Sequence, residues 1–238
     1  MTASGGGDVY VRSVADAEQP VPERAIEPRW PVALVVFTFI VLTVVLRLVI
    51  PRRESIGPHW VIPLFEMALL VVLVAAHPTG AVERARLRKL SITLILLLVV
   101  SALGSTAILV TELIRGSAVT NSADSLLASG VLVYVGNALA FGLLYWQLDS
   151  GGPLARYRRE RKYPDFAFTQ QLNPDLAPAG WRPLYVDYFV LGFTTSIAFS
   201  PTDVMPMSPW AKLTMNLQAT ISLAVVGLVI ARAVNVFT

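Results

Sequence analysis

The chain has 238 residues, of which 55% are hydrophobic and only 15% are charged. Soluble globular domains average about 45–50% apolar and about 25% charged residues, so this composition predicts an integral membrane protein with several spans. The absence of cysteine excludes disulfides and thiolate metal sites, and the net charge of +3 is more typical of basic loops beside a membrane than of a nucleic-acid partner.

The first 30 residues contain Gly5 to Gly7, several prolines and many charges, and they have no apolar run. This stretch lacks the order of a secretory signal, in which a charged region precedes an apolar region and a small-residue site. We predict a disordered tail at 1–30 and a transmembrane domain at 31–238, which makes the fold an all-α membrane helix bundle.

Five apolar runs are long enough to span a bilayer, whose core requires about 20 helical residues. They are 31–50, 60–77, 90–114, 126–148 and 211–237. The run 184–200 has 17 residues, which give about 25 Å as a helix against a core of about 30 Å. It is therefore either a re-entrant segment beside five spanning helices or a sixth spanning helix.

Lysine and arginine are distributed unequally between the two sets of loops. Ten lie between the second and third helices or after the fourth, and three lie in the opposite loops. Because Lys and Arg concentrate in cytoplasmic loops, we predict that the N-terminus is cytoplasmic and that the fourth helix runs inward. The expected location is a cell membrane.

Two charges fall inside the apolar runs. Arg47 lies near the end of the first helix and Glu66 lies early in the second, so a short hairpin brings them to similar depth. Burying either charge alone costs several kcal/mol, which favours an intramembrane pair. The alternative is that Arg47 reaches the interface while Glu66 faces a helix contact.

The link at 149–183 contains a dense basic cluster and two aromatic stretches, 164–168 and 180–185. Such a cluster is either a topological signal or a site for anionic lipid headgroups. The attraction between such headgroups and each cation near the surface contributes about 1 kcal/mol. The lipid-binding candidates are Arg156, Arg158, Arg159, Arg161 and Lys162. We expect the aromatic stretches to seat the chain on the bilayer.

Residues 192–213, GFTTSIAFSPTDVMPMSPWAKL, are too polar for a lipid-facing helix. Non-helical backbone at membrane depth is tolerated only where it is buried in protein or lines water. A half-helix over 185–195 followed by a return therefore accounts for both the short length and the polarity. The alternative is a sixth helix that ends near Ser200, with an aqueous loop after it.

Residues 126–238 contain, in order, an apolar helix, a loop, the stretch YVDYFVLGFTTSIAFSPTD and a final helix. This order resembles the pore module of potassium channels. The chain also resembles a family of uncharacterised bacterial integral-membrane proteins that share this C-terminal pattern. The resemblance implies a pore helix at 185–194, the inner helix from Ala211, and a tetramer if the protein is channel-like. It also implies pore-lining candidates: Thr194, Thr195, Ser196, Ala198, Phe199, Ser200 and Asp203.

The filter pattern itself is degenerate. Potassium filters use glycines for backbone conformations that cost other residues about 1 kcal/mol or more, and Ala198 and Ser200 stand near those positions. We therefore expect a channel-like protein without potassium selectivity. The alternative is a non-conducting scaffold that binds lipid or a partner through its basic loops.

Catalytic and cofactor motifs are missing from the sequence. It has no nucleophile elbow, phosphate-binding loop, dinucleotide fingerprint or zinc-binding histidine pair. For a membrane enzyme the only candidates would be Glu66, Asp187 and Asp203. We predict no enzymatic activity, no cofactor and no metal site.

Overall fold

The computed structural model describes residues 29–49, 61–76, 81–115, 122–178, 180–197 and 203–237. The predicted tail at 1–30 lies almost entirely outside these residues. Among the described residues the protein is all-α apart from two short strands, which confirms the predicted all-α class. The number of spanning helices and the re-entrant segment stay predictions.

Eight helices lie within the described residues. They are α1 (Arg29–Val49), α2 (Val61–Ala75), α3 (Ala81–Arg115), α4 (Ala123–Leu148), α5 (Pro153–Arg158), α6 (Thr169–Leu172), α7 (Tyr185–Ile197) and α8 (Pro209–Phe237). Four of them, α1, α3, α4 and α8, are long and apolar enough to cross a membrane, while α2 is a shorter apolar helix of 15 residues. These apolar helices confirm the prediction that the chain has transmembrane helices.

The predicted start of the third helix was wrong by nine residues. Helix α3 begins at Ala81, so the basic stretch that follows is helical rather than a loop. The stretch VERARLRK is built from strong helix formers, which need no burial to continue a helix that is already nucleated. A search for apolar runs finds only the hydrophobic part of α3 and misses its basic first turns.

Helix α4 is the centre of the bundle and packs against α1, α3, α7 and α8. After α4 the chain turns sharply at Gly151 and Gly152, which have φ values of 85° and 101°. A side chain at Gly152 would also approach the carbonyl oxygen of Gln147 to 3.0 Å, so glycine is required there for two reasons.

The turn after α4 marks one end of the bundle, which we call the basic end. Arg161 lies beside Gly151, and Arg88 from the first turns of α3 lies beside Gly152. The basic residues of two separate segments are therefore close together. This arrangement agrees with the charge bias that orients the helices in the sequence analysis.

Two strands, β1 (Phe166–Phe168) and β2 (Val204–Pro206), form an antiparallel ribbon at the basic end. The ring of Phe166 packs against Tyr145 and Trp210, with ring centroids 5.1 and 5.6 Å apart. The expectation that the aromatic residues of 164–168 seat the chain on the bilayer is wrong for Phe166 and Phe168, because both are buried within the protein.

Helix α7 runs antiparallel to α4, starting at the basic end. Tyr188, in its first turn, donates a hydrogen bond to Asp149, just beyond the end of α4. Near the end of α7, the carbonyl of Phe193 accepts a hydrogen bond from Tyr134, which lies in the middle of α4. The helix therefore covers only half the length of α4.

Helix α8 has the same starting point and direction as α7. Trp210, in its first turn, bonds to Asp165 at the basic end, while Val229 lies against Gly130 near the start of α4. Two consecutive long elements, α7 and α8, thus begin at the same end of the bundle and run the same way. Strand β2, which lies between them in the sequence, is already at the basic end, where it pairs with β1.

Candidate functional site

The Asp149 carboxylate joins the end of α4 to the start of α7. It is only 1% exposed. One oxygen, Oδ1, accepts the Ser150 hydroxyl at 2.9 Å and the backbone N–H groups of Asp165 and Phe166 at 3.0 and 3.3 Å. The other oxygen, Oδ2, accepts the Tyr188 hydroxyl. This set of donors compensates for the removal of the charge from water.

A second buried carboxylate, Asp165, connects the same turn to α8. Its Oδ2 accepts the backbone N–H of Ser150 at 2.8 Å, and its Oδ1 accepts the Trp210 indole N–H at 2.8 Å. Arg161 lies 3.5 Å from Oδ2. Met207 then donates its N–H to the Asp165 carbonyl, which fixes the end of β2 as well. We call Asp149 and Asp165 together the aspartate node.

Arg156, in α5, is hydrogen-bonded to the backbone at the aspartate node. Its guanidinium donates to the carbonyls of Trp146 and Asp149, and it lies 4.9 Å from the centre of the Tyr188 ring. These contacts satisfy carbonyls at the end of α4 with a cation, which a helix C-terminus favours. Arg156 is thus half-buried and holds the fold as well as belonging to the predicted lipid-binding set.

Deeper in the bundle, Gln218 links three helices. It is fully buried, accepts the Tyr145 hydroxyl at 2.7 Å, and donates to the Gly192 carbonyl at 2.7 Å and to the Ser196 hydroxyl at 2.9 Å. An amide within an apolar bundle requires such partners. Gln218 therefore holds the last turn of α7 against α8 and α4.

Helices α4 and α7 approach each other through two glycines. A Cβ at Gly192 would lie 2.9 Å from the Ala138 carbonyl oxygen, and a Cβ at Gly142 would lie 3.1 Å from the Phe189 Cα. In both cases the obstacle is backbone, which cannot move aside as a flexible side chain can. The position of the half-length helix is consequently fixed by close backbone packing.

The predicted pore-lining residues do not share one environment. Thr194 is half-buried and its hydroxyl bonds back to the Val190 carbonyl, whereas Thr195 and Ser196 are buried inside the chain. The Thr195 hydroxyl has no hydrogen-bond partner among the described residues. Asp203 is exposed at the basic end, and its carbonyl accepts the N–H of Thr169. The remaining candidates, Ala198, Phe199 and Ser200, lie outside the described residues.

The other four lipid-binding candidates are exposed on the surface of the basic end. Arg158 lies 3.8 Å from Glu160, and Lys162 lies 5.2 Å from the centre of the Tyr163 ring. Arg159 ends α5 in the left-handed conformation, with φ of 52°. Arg158, Arg159 and Lys162 therefore present their charges to the surroundings, while Arg161 shares its charge with the aspartate node.

The structure brings the predicted pair of Arg47 and Glu66 near each other. The Glu66 side chain is 0% exposed. Arg47 is close enough for its charge to act on the Glu66 carboxyl, and the Ser101 hydroxyl of α3 lies beside it. No group of three His, Cys, Asp or Glu side chains suited to a metal ion occurs among the described residues.

Comparison with known proteins adds no assignment, since the chain matches no protein-family model, no curated protein and no solved structure.

The aspartate node and Gln218 were not predicted from the sequence. Asp149 was noted only as the first residue of the link at 149–183, and no role was predicted for Asp165. The available signal was that each aspartate directly adjoins a stretch of large apolar and aromatic residues, YWQLD and DFAF. For Gln218 the signal was an amide within the long apolar run of α8, which indicates an interhelical partner.

Proposed function

We propose that this chain is a multipass membrane protein that conducts ions through the unit formed by α4, α7 and α8. The observation that carries the proposal is the common starting point of α7 and α8 at the basic end of α4. A helix that enters beside α4, ends halfway, and is followed by a chain that returns to its entry level is the arrangement of a re-entrant pore helix.

Lengths support this arrangement. Helix α7 has 13 residues, about 20 Å of helix, against a hydrocarbon core of about 30 Å. From Ile197 to Val204 the chain has seven steps, which can extend over about 23 Å and so return from the end of α7 to the ribbon. In this proposal α1, α3, α4 and α8 span the membrane, and the shorter α2 is the fifth crossing because α1 and α3 both begin at the basic end.

The basic end is proposed to be cytoplasmic. It gathers basic residues from α3 and α5, and Lys and Arg near helix ends are retained on that side. Helix α1 also begins there, because Phe39 lies against Gly136 in mid-α4 and Leu46 belongs to the apolar cluster of Leu126 near the start of α4. The N-terminus is then cytoplasmic, and the half-helix enters from the cytoplasm, opposite to a potassium-channel pore helix.

The proposed path runs beside the end of α7. Asp203 lies exposed at its cytoplasmic entrance, where a carboxylate attracts cations. Ser196 holds the end of α7 from inside the subunit through its hydrogen bond with Gln218, and Thr195 is buried beside it. We propose no potassium selectivity, because the stretch SIAFSPTD at 196–203 has no glycine with which to build a regular ladder of carbonyls. Assembly of several copies around the path, four by analogy, is part of the same proposal.

Cation flux into liposomes that contain the purified protein tests the proposal. Asp203→Ala is expected to lower flux by about tenfold at low ionic strength, since a charge at an entrance concentrates counter-ions, and the difference is expected to shrink as salt increases. The matched control is Asp175→Ala, an exposed carboxylate in the same loop region. Thr195→Ala is expected to alter flux without any dependence on salt. Wild-type flux no greater than that of protein-free liposomes would remove the proposal.

A second candidate function is a non-conducting scaffold that holds anionic lipid at the basic end. The observation in its favour is that Arg88 of α3 and Arg161, just after α5, converge at one end of the bundle. Arg158, Arg159 and Lys162 remain exposed there. Arg156 and Arg161 are left out of its test because they also stabilise the aspartate node.

Neutralising Arg158, Arg159 and Lys162 together with glutamine is expected to weaken binding of an anionic lipid by at least about tenfold, at about 1 kcal/mol per cation. Native mass spectrometry of the detergent-solubilised protein with added phosphatidylglycerol measures this affinity. Arg115→Gln, an exposed cation at the opposite end of α3, is the control. Equal affinity in the triple variant and the wild type would argue against this function.

A further inference from the structure

Glu66 is the one titratable side chain on α2, and it is completely buried. Helix α2 packs against α1 and α3, so the carboxyl lies where these three helices meet. The site is separate from the aspartate node and from α7. A charged residue at such a position is costly, and in membrane bundles it generally serves a function.

The surroundings of Glu66 differ from those of the other buried carboxylates. Asp149 and Asp165 receive several well-formed hydrogen bonds each. Neither carboxyl oxygen of Glu66 makes a hydrogen bond of normal geometry to any described residue, and the same holds for the neighbouring Ser101 hydroxyl. The described part of the chain thus supplies the donors for a permanent anion at the aspartate node and does not supply them at Glu66.

Among the residues that the structure describes, few charges face Glu66. From α1 the Arg47 guanidinium acts on the carboxyl, and from α3 the Ser101 hydroxyl is adjacent. Glu112 and Arg115, the charges in the last turn of α3, are at least about 16 Å further along that helix than Ser101. The basic residues at the start of α3 are at least about 18 Å away in the other direction. Arg47 is therefore the main counter-charge.

We propose that Glu66 is a proton-binding site inside the helix bundle. An ionised carboxylate without hydrogen-bond donors loses several kcal/mol of hydration, and one cation compensates fully only with excellent geometry. Uptake of a proton from water forms the carboxyl O–H bond and removes the charge. The acid then donates to the free Ser101 hydroxyl oxygen, and Arg47 is the competing partner of the anion. The site changes its charge by one unit between the two states.

Dicyclohexylcarbodiimide tests the proposal because it enters apolar regions and reacts with carboxyl groups only when they are protonated. The full-length protein in liposomes is labelled over a series of pH values, and the adduct is located by mass spectrometry. We expect one adduct at Glu66, formed fastest at acidic pH and more slowly by about tenfold per pH unit on the alkaline side. Arg47→Gln is expected to increase labelling at a given pH, because loss of the cation favours the neutral acid.

Controls separate this site from a permanent ion pair. Glu66→Gln is expected to abolish the adduct, while Glu112→Gln leaves it unchanged. If Glu66 remained unlabelled at every pH, or if its labelling were independent of pH, it would be a fixed anion paired with Arg47 and the proposal would be overturned. Because labelling requires no flux, the result is independent of whether the protein conducts ions.

Discussion

Asp149→Ala is expected to lower the free energy of unfolding by about 3–5 kcal/mol, the cost of breaking a buried charge network. The substitution leaves two backbone N–H groups and the Tyr188 hydroxyl without their acceptor, and it leaves Arg156 beside an incomplete node. Each lost bond to a charged group contributes about 1.5–3 kcal/mol before the structure relaxes. The measurement is unfolding of the purified protein by denaturing detergent in mixed micelles.

Two further variants make this result specific. Asp149→Asn keeps one acceptor oxygen but presents an amide group to donors, so an intermediate loss is expected. Asp175→Ala, at an exposed position, is expected to change stability little. A loss below about 1 kcal/mol for Asp149→Ala would mean that the node does not hold α4, α7 and β1 together.

Gly192→Ala is expected to displace α7 from α4. The added methyl group would lie 2.9 Å from the Ala138 carbonyl oxygen and 3.2 Å from the Gly142 nitrogen, both of them backbone atoms. Overpacking of this kind typically costs about 1–3 kcal/mol, so we expect at least that loss in the same unfolding assay. The shift also breaks the bonds of Gln218 to the Gly192 carbonyl and the Ser196 hydroxyl.

Since the chain has no native cysteine, the displacement can be followed with a single cysteine at Ser196. Labelling by a membrane-impermeant thiol reagent is expected to be slow in the parent, where this position is buried, and faster in the Gly192→Ala background. Gly104→Ala is the matched control, because nothing lies within 4 Å of a Cβ there and alanine favours the helix. Equal loss of stability in both glycine variants would contradict the close contact.

The helices could be predicted from the sequence to within a few residues wherever apolar composition defines them, as in α1, α4 and α8. The start of α3 could not, because its first turns depend on helix propensity and not on hydrophobicity. The ribbon of β1 and β2 was also missed. Each strand has three residues, and the central pair, Ala167 and Met205, is 38 positions apart in the sequence, so no local periodicity marks the ribbon.

The candidate site was predictable only in part. The short length of the apolar run at 184–200 and the polar stretch after it were enough to predict the half-helix α7. The contact of α7 with Gln218 could not be predicted, because it depends on the direction of α8. The burial of Asp149 and Asp165 depends on a turn that folds the chain back on itself. The sequence shows that charged residues lie near the end of α4, but it does not show whether each of them is exposed to water or is buried with hydrogen-bond partners.

The end of α7 has an electrostatic consequence. The aligned peptide dipoles of a helix place about half a negative charge at its C-terminus, carried by carbonyls without partners in the helix. Because α7 ends beside the middle of α4, this negative pole lies halfway along the bundle and not at either of its ends. In the proposed channel the backbone itself would therefore favour a cation over an anion at that level, whichever side chains line the path.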